Sequence, residues 1–318
     1  MNTQRKMDKT NTMHKAGDMR KINKAINRAI LFSVLLIALA FALAACGGGS
    51  GGSNAAGSQS NISVVAREDG SGTKTAFMEI IGLKGKADPV NVVIQTGTQC
   101  VLSAVKSDPA AIAYESLGYV DEEVKALAID GVEATVANIQ NGTYKISRPL
   151  SVVYKDSALA DATNNAFYVF LKSSTAQEII SKEGYVSVAE GASPYTIDGS
   201  LSGSIDISGS TSLQPLMIEL AAAFEGLQTN VTINVSGGGS GTGYKNADEG
   251  VSAFGMISEE FALDKAPSCT HYTVAKDGIA VIVNKGNTVN GITMEQLNRI
   301  YDEEAGDNAI LNWGELSK

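Results

Sequence analysis

Histidine is nearly absent from this sequence. Two occur in 318 residues, His14 and His271. A Ser-His-Asp hydrolase in the main part of the chain would have to use His271, which sits in "CTHYTVAKDG" with no nucleophile elbow to serve. Cysteine is also scarce, at three residues. Three Cys and so little His exclude a zinc cluster and leave no metal or cofactor to expect. Basic residues are outnumbered, 25 Lys/Arg against 34 Asp/Glu. The acidic runs Asp121-Glu122-Glu123 and Asp302-Glu303-Glu304 read as solvated charge. Together these shortages argue against an enzyme.

Long apolar runs are missing too, with one exception. Residues 1–28 are basic, and "AILFSVLLIALAFALAAC" follows, ending at Cys46. A basic start, a short apolar stretch and small residues before a cut describe a secretory signal. A transmembrane anchor is the competing reading of a run this long. Leu43-Ala44-Ala45-Cys46 resembles the bacterial lipobox, whose Cys receives a diacylglyceryl group. Residues 1–45 are therefore expected to be a lipoprotein signal peptide and Cys46 the lipidation site. Residues 46–60, "CGGGSGGSNAAGSQS", carry no large apolar side chain and read as a flexible tether. Eight Lys/Arg and two Asp/Glu lie in 1–45, so the remaining 17 and 32 leave a formal charge near −15. That argues against nucleic acid as a partner, and against a membrane except through the lipid. Cys100 and Cys269 remain, either as a disulfide or as two buried thiols.

From about Ile62 the composition turns α/β. "ISVVA", "SIDIS", "VTINVS" and "IAVIVN" are β-branched runs of strand length. "SLQPLMIELAAAFEGL" places Leu213, Leu216, Met217, Leu220, Ala221, Phe224 and Leu227 on one helical face. Thr293 and Gln296 form a capping-box pattern, and Ser174-x-x-Gln177 with Gly184 marks another helix start and stop. The turn-rich 191–204 resembles a joint between two halves, and no internal repeat is present.

Three loops share one grammar: "AREDGSGTKTAF" (66–77), "DISGSTSLQPL" (206–216) and "NVSGGGSGTGYKN" (234–246). In each, a β-run enters a Gly/Ser/Thr turn and a helical pattern leaves it. A helix N-terminus has unpaired N–H groups and a partial positive charge, so it favours anions. Glycine lets backbone close on a ligand, and Ser/Thr hydroxyls add donors. Arg67 contributes a permanent charge with a planar fork suited to an oxyanion. Any one loop is an ordinary cap; three of them, one with an arginine, point to a ligand. "GGGSGTGYK" departs from the phosphate-loop pattern, since Tyr244 stands where Lys should be. A free small anion fits better than a nucleotide.

Taken together, the loops resemble the phosphate-binding protein of bacterial high-affinity phosphate ABC transporters. The motifs are Arg67-Glu68-Asp69-Gly70-Ser71-Gly72-Thr73, Gly209-Ser210-Thr211-Ser212, "GGGSGTG" (237–243) and "FGMISEE" (254–260), supported by "DGIAVIVNKGN", "LNRIYDEE" and "NWGEL". The resemblance implies a two-lobe, periplasmic-binding-protein-like (type II) α/β fold with a cleft between the lobes. It implies phosphate held by Arg67, Asp69, Ser71, Gly72, Thr73, Ser210, Thr211, Ser240 and Ser258. The partners implied are ABC permease transmembrane subunits, and the place is the outer face of the cell membrane. In the family the "GSTS" half comes first; here it comes second, so the chain looks circularly permuted. The competing account of that order is a misassembled gene whose halves do not complement. The expected lobes are 148–275, continuous, and 61–147 with 276–318, split, joined by crossing strands near 145–149 and 275–279. Phosphate near neutral pH carries a proton that sulfate lacks, so a carboxylate acceptor would select it; Asp69 and Glu259 are the candidates. A receptor for another oxyanion or small solute, and a surface sensor or adhesin, remain the alternatives.

Overall fold

The computed structural model describes residues 60–317. The expected signal peptide, the Cys46 lipidation site and all of the tether but Ser60 lie outside the described residues. Among the described residues no helix is long and apolar enough to cross a membrane.

The chain begins with β1 (Ser63–Arg67), α1 (Gly72–Ile80), β2 (Val93–Gln95), α2 (Thr98–Ser107) and β3 (Ala111–Ser116). Next come β4 (Val124–Ala126), β5 (Ala128–Ile129), α3 (Val136–Gln140), β6 (Ser147–Tyr154), α4 (Ala162–Leu171), α5 (Ser174–Lys182) and β7 (Val186–Ser187). The second half holds β8 (Gly203–Gly209), α6 (Gln214–Leu227), β9 (Val231–Gly237), α7 (Ser240–Glu249) and β10 (Phe254–Ile257). It closes with β11 (Thr270–Asn284), β12 (Gly291–Ile292) and α8 (Met294–Tyr301).

Ten strands join in one sheet along the path β2-β1-β3-β11-β6-β10-β8-β9, with β4 and β7 paired to β11. Its two ends are parallel, β2-β1-β3 on one side and β10-β8-β9 on the other. Between them run the antiparallel strands β6 and β11. β11 is long enough to serve both ends: Thr270–Gly278 pairs with β6, and Ile279–Val283 pairs with β3. Parallel strands need covered faces, and each end has its own core. Phe167, Phe170, Leu216, Leu220, Phe224 and Phe254 pack under β8. Phe77, Tyr114, Ile279, Leu297, Tyr301 and Trp313 pack under β1.

Local signals explain most element ends. The Thr293 box forms as expected, with Gln296 N–H donating to Thr293 Oγ1 at 3.1 Å and Thr293 N–H to Gln296 Oε1 at 2.9 Å. The cap of α5 is Ser173 rather than Ser174: its hydroxyl accepts from Ala176 N–H. Gln177 is instead buried and donates to the Leu171 and Val274 carbonyls, a use its spacing did not reveal. Cys100 is exposed and Cys269 buried, and both are free thiols. His271 is an exposed residue of β11 stacked on Phe261.

The two ends of the described chain are neighbours. Ile62 N–H donates to the Leu311 carbonyl at 2.8 Å and Trp313 N–H to the Ser60 carbonyl at 3.1 Å. Residues 191–202 are irregular and lead into β8 at Gly203.

Candidate functional site

All three Gly/Ser/Thr loops meet at one place. The first connects β1 to α1, the second β8 to α6, and the third β9 to α7. Parallel strands that each feed a helix put those helix N-termini along the C-terminal strand edge, where ligands of open α/β sheets sit. β1 and β8 belong to opposite ends of the sheet, so two such edges face each other here.

Contacts across the gap are direct. Thr73 Oγ1 lies 2.9 Å from Ser212 Oγ. Arg67 Nη2 donates to Thr211 Oγ1 at 3.0 Å, and Gly241 N–H to the Gly70 carbonyl at 3.0 Å. Tyr119 donates its hydroxyl proton to the Thr211 carbonyl at 2.7 Å. Gly72, the first residue of α1, packs so closely that a Cβ there would meet the Ser240 and Ser258 hydroxyls.

Each loop presents donors for a local reason. Ser71 caps α1, accepting from Lys74 N–H at 3.3 Å. Ser210 accepts from the N–H groups of Ser212 and Leu213, both at 3.2 Å, and its own proton stays available. Gly239 precedes α7 at φ +85°, a left-handed conformation that suits glycine. Its N–H reaches the Gly209 carbonyl at 3.0 Å, stitching the second loop to the third. Ser240 Oγ accepts from Ser258 N–H at 3.1 Å and lies 3.4 Å from Ser258 Oγ. Arg67, Ser71, Thr73, Ser210, Ser240 and Ser258 are all buried.

Asp69 does not join them. Its side chain is 99% exposed and pairs with Lys74 at 2.8 Å, which holds its carboxyl below the usual range. Glu68 takes the place beside Arg67, accepting from Nε at 2.9 Å and Nη2 at 3.1 Å. Both acids lie beyond the end of β1, and Asp69 already belongs to the turn that leads into α1. Glu259 is buried but held by Lys265 at 2.8 Å.

Several site residues escaped the sequence reading. Glu115, fully buried at the end of β3, accepts from Arg67 Nη1 at 3.2 Å and from Thr98 Oγ1 at 3.1 Å. Arg148 of β6 pairs with Asp277 of β11 at 3.0 Å and donates to the Ser258 carbonyl at 3.1 Å. The signal was a charge inside an apolar run: "AIAYES", "SRPLSVVY" and "VAKDGIAVIV". Such charges are buried only when paired.

Burial works against the Arg67 cation, but Glu115 and Glu68 outweigh it and lift its pKa above the usual guanidinium value. Burial would also raise Glu68, yet its hydrogen bond to Arg67 brings it below the usual carboxylate range. For Glu115 burial prevails over the pull of Arg67, so its carboxyl is raised. Asp277 is raised by burial in the same way, against the pull of Arg148. The arrangement is therefore a cluster of hydroxyls, N–H groups and one compensated cation. It suits capture of a small oxyanion.

The PBP superfamily domain matches residues 50–175 and 195–316. Phosphate-binding protein PstS 2 of Streptococcus agalactiae is 36% identical over 276 residues, 83% of this chain and 91% of that protein. The protein of the same name from Streptococcus pneumoniae serotype 4 is 35% identical over 258 residues, 78% and 88% of the two chains. Among solved structures, a phosphate ABC transporter phosphate-binding protein from Streptococcus pneumoniae TIGR4 aligns with TM-score 0.65 and 33% identity, covering 81% of this chain and 100% of that one.

Proposed function

The chain belongs to the phosphate-binding proteins of the PBP superfamily, and from that premise we propose that it captures inorganic phosphate between its two lobes and hands it to an ABC importer. It is a binding protein and not an enzyme. Its work is extracytoplasmic, in keeping with that family. Anchoring through a lipid on Cys46, after removal of residues 1–45, belongs to the proposal, as do permease transmembrane subunits as the receiving partner.

One observation carries the reading: three helix N-termini and Arg67 converge from opposite ends of the sheet. Phosphate is strongly hydrated, so a dry site must replace its water with many donors at once. Charge-assisted hydrogen bonds contribute about 1.5–3 kcal/mol each net, and a micromolar Kd needs about 8 kcal/mol. Several donors suffice, and Ser71, Gly72, Thr73, Ser210, Thr211, Ser240 and Ser258 supply them around Arg67. Only the closed form presents both sets, so the ligand favours closure. The excess of acidic residues is no obstacle, because local donors set affinity while the bulk field mostly alters the on-rate.

The lobes of the proposal are 148–275 and the split pair 61–147 with 276–318. The pairing of residues 60–62 with 311–313 supports the swapped order of halves. Asp69 leaves the set of ligand contacts in this reading, and Glu68 enters it as the partner of Arg67.

The test is calorimetric titration of purified protein, stripped of ligand by unfolding and refolding, with phosphate and then sulfate. One-to-one phosphate binding without sulfate heat is expected. A cooperatively folded protein that binds neither would overturn the reading.

A further inference from the structure

We propose that Glu115 is the proton-exchanging residue of this site: it takes a proton from solvent as the anion enters, so that binding tightens as pH falls. The inference rests on the phosphate reading above and assigns a role to a carboxylate that reading does not use.

Arg67 has five N–H donors, and all are engaged. Nε and one Nη2 proton go to Glu68 at 2.9 and 3.1 Å. The other Nη2 proton goes to Thr211 at 3.0 Å. Nη1 faces Thr98 at 3.4 Å and both oxygens of Glu115 at 3.2 and 3.4 Å. The single cation thus already answers two carboxylates. An anion placed between Arg67 and Thr211 brings a third negative group to the same guanidinium.

The two carboxylates differ in how they can respond. The Glu68 side chain is 22% exposed and water can share its charge. Glu115 is 0% exposed. Its remaining partners are the Thr98 hydroxyl and the Ser116 N–H, both at 3.1 Å. The charged and titratable groups around it are Arg67 from β1, Arg148 from β6, Asp277 from β11, and Tyr114 and Tyr119 on and just after its own strand. Both arginines favour its charged form, but Arg148 is itself bound to Asp277 at 3.0 Å. Burial already prevails and raises the carboxyl. A neighbouring negative charge pushes a carboxyl pKa further in the same direction. A ligand that raises a group's pKa is bound more tightly as the group protonates, by linkage. Neutral Glu115 also ceases to compete for Arg67, which leaves that charge to the anion.

The test is titration of the whole protein with inorganic phosphate in buffers of different ionisation enthalpy, which counts protons taken up. It is run at alkaline pH, where free phosphate is almost wholly the dianion, on wild type and Glu115→Gln. Uptake by wild type that the variant lacks is expected, with a flatter pH profile of affinity in the variant. The wild-type profile should change by at most about tenfold per pH unit for one proton. A proton held by the ligand itself would appear equally in both, and equal uptake overturns the proposal. If Glu115→Gln does not fold, infrared difference spectra of wild type decide alone: a protonated carboxyl band must appear with phosphate, and its absence overturns the proposal. No phosphate binding by wild type would bring down the functional reading and this inference together. Binding with equal uptake brings down only this one.

Discussion

On the β1 side of the site stand Arg67, Glu68 and Glu115; on the β8 side stand Ser210, Thr211, Ser212, Ser240 and Ser258, none of them charged. Both sides are largely buried, with Glu68 and Thr211 half-exposed, and helix N-termini stand on both. The charged side is held by ion pairs at 2.9 and 3.2 Å within itself. The neutral side is held by hydroxyl-to-backbone bonds, such as Ser210 to Ser212 and Leu213. An arginine facing another charge across a moving cleft would be stranded on opening, at the high cost of an unpaired buried ion. Here the charged partners of the cation lie on its own side, and only its bond to Thr211 crosses the gap.

The contrast can be broken most severely at Arg67. Arg67→Met strands Glu115, so phosphate binding should be lost and stability should fall by about 3–5 kcal/mol, read by calorimetry and denaturant unfolding. Adding Glu115→Met should restore much of the stability and none of the binding. Gly72→Ala acts on the meeting of the two sides. Its Cβ meets Ser240 and Ser258 only when the gap is closed, so affinity should drop at least about tenfold, ~1.4 kcal/mol. Thermal stability of the ligand-free protein should hold or rise, since alanine favours a helix over glycine; a matched loss of stability would place the effect in folding. On the neutral side, Ser240→Ala and Ser258→Ala should each weaken binding by about 1 kcal/mol, roughly fivefold, without unfolding. The smallest effect belongs to Asp69→Asn. That side chain is 99% exposed, so stability should shift by no more than about 0.5 kcal/mol, and phosphate affinity and sulfate rejection should both hold. A variant that admits sulfate would return Asp69 to the site.

Much of this was legible from pattern. The Thr293 box, the start of β9 at Val231 and the buried face of α6 depend on neighbours within a turn or two. The three loops were visible for the same reason, since strand, glycine turn and helix follow one another in sequence. Harder cases turned on a single position. Ser173 and Ser174 are both good caps, and the ring of contacts around Gln177 decided which one serves. Glu68 and Asp69 are both acids beside Arg67, and the turn after β1 carries Asp69 out to Lys74 while Glu68 stays on the arginine.

By itself the sequence determined the α/β class, the three anion-directed loops and the fixed charge at Arg67, because each follows from short-range periodicity, composition or residue chemistry. Only the tertiary structure decided which carboxylates answer that charge. Glu115 lies 48 residues from Arg67, and Thr211 lies 144 residues away. Whether such groups touch depends on β3 lying beside β1 and on β6 and β11 bringing the two ends of the sheet together. Burial, which turns a surface glutamate into a raised buried carboxyl, exists only once that sheet is assembled.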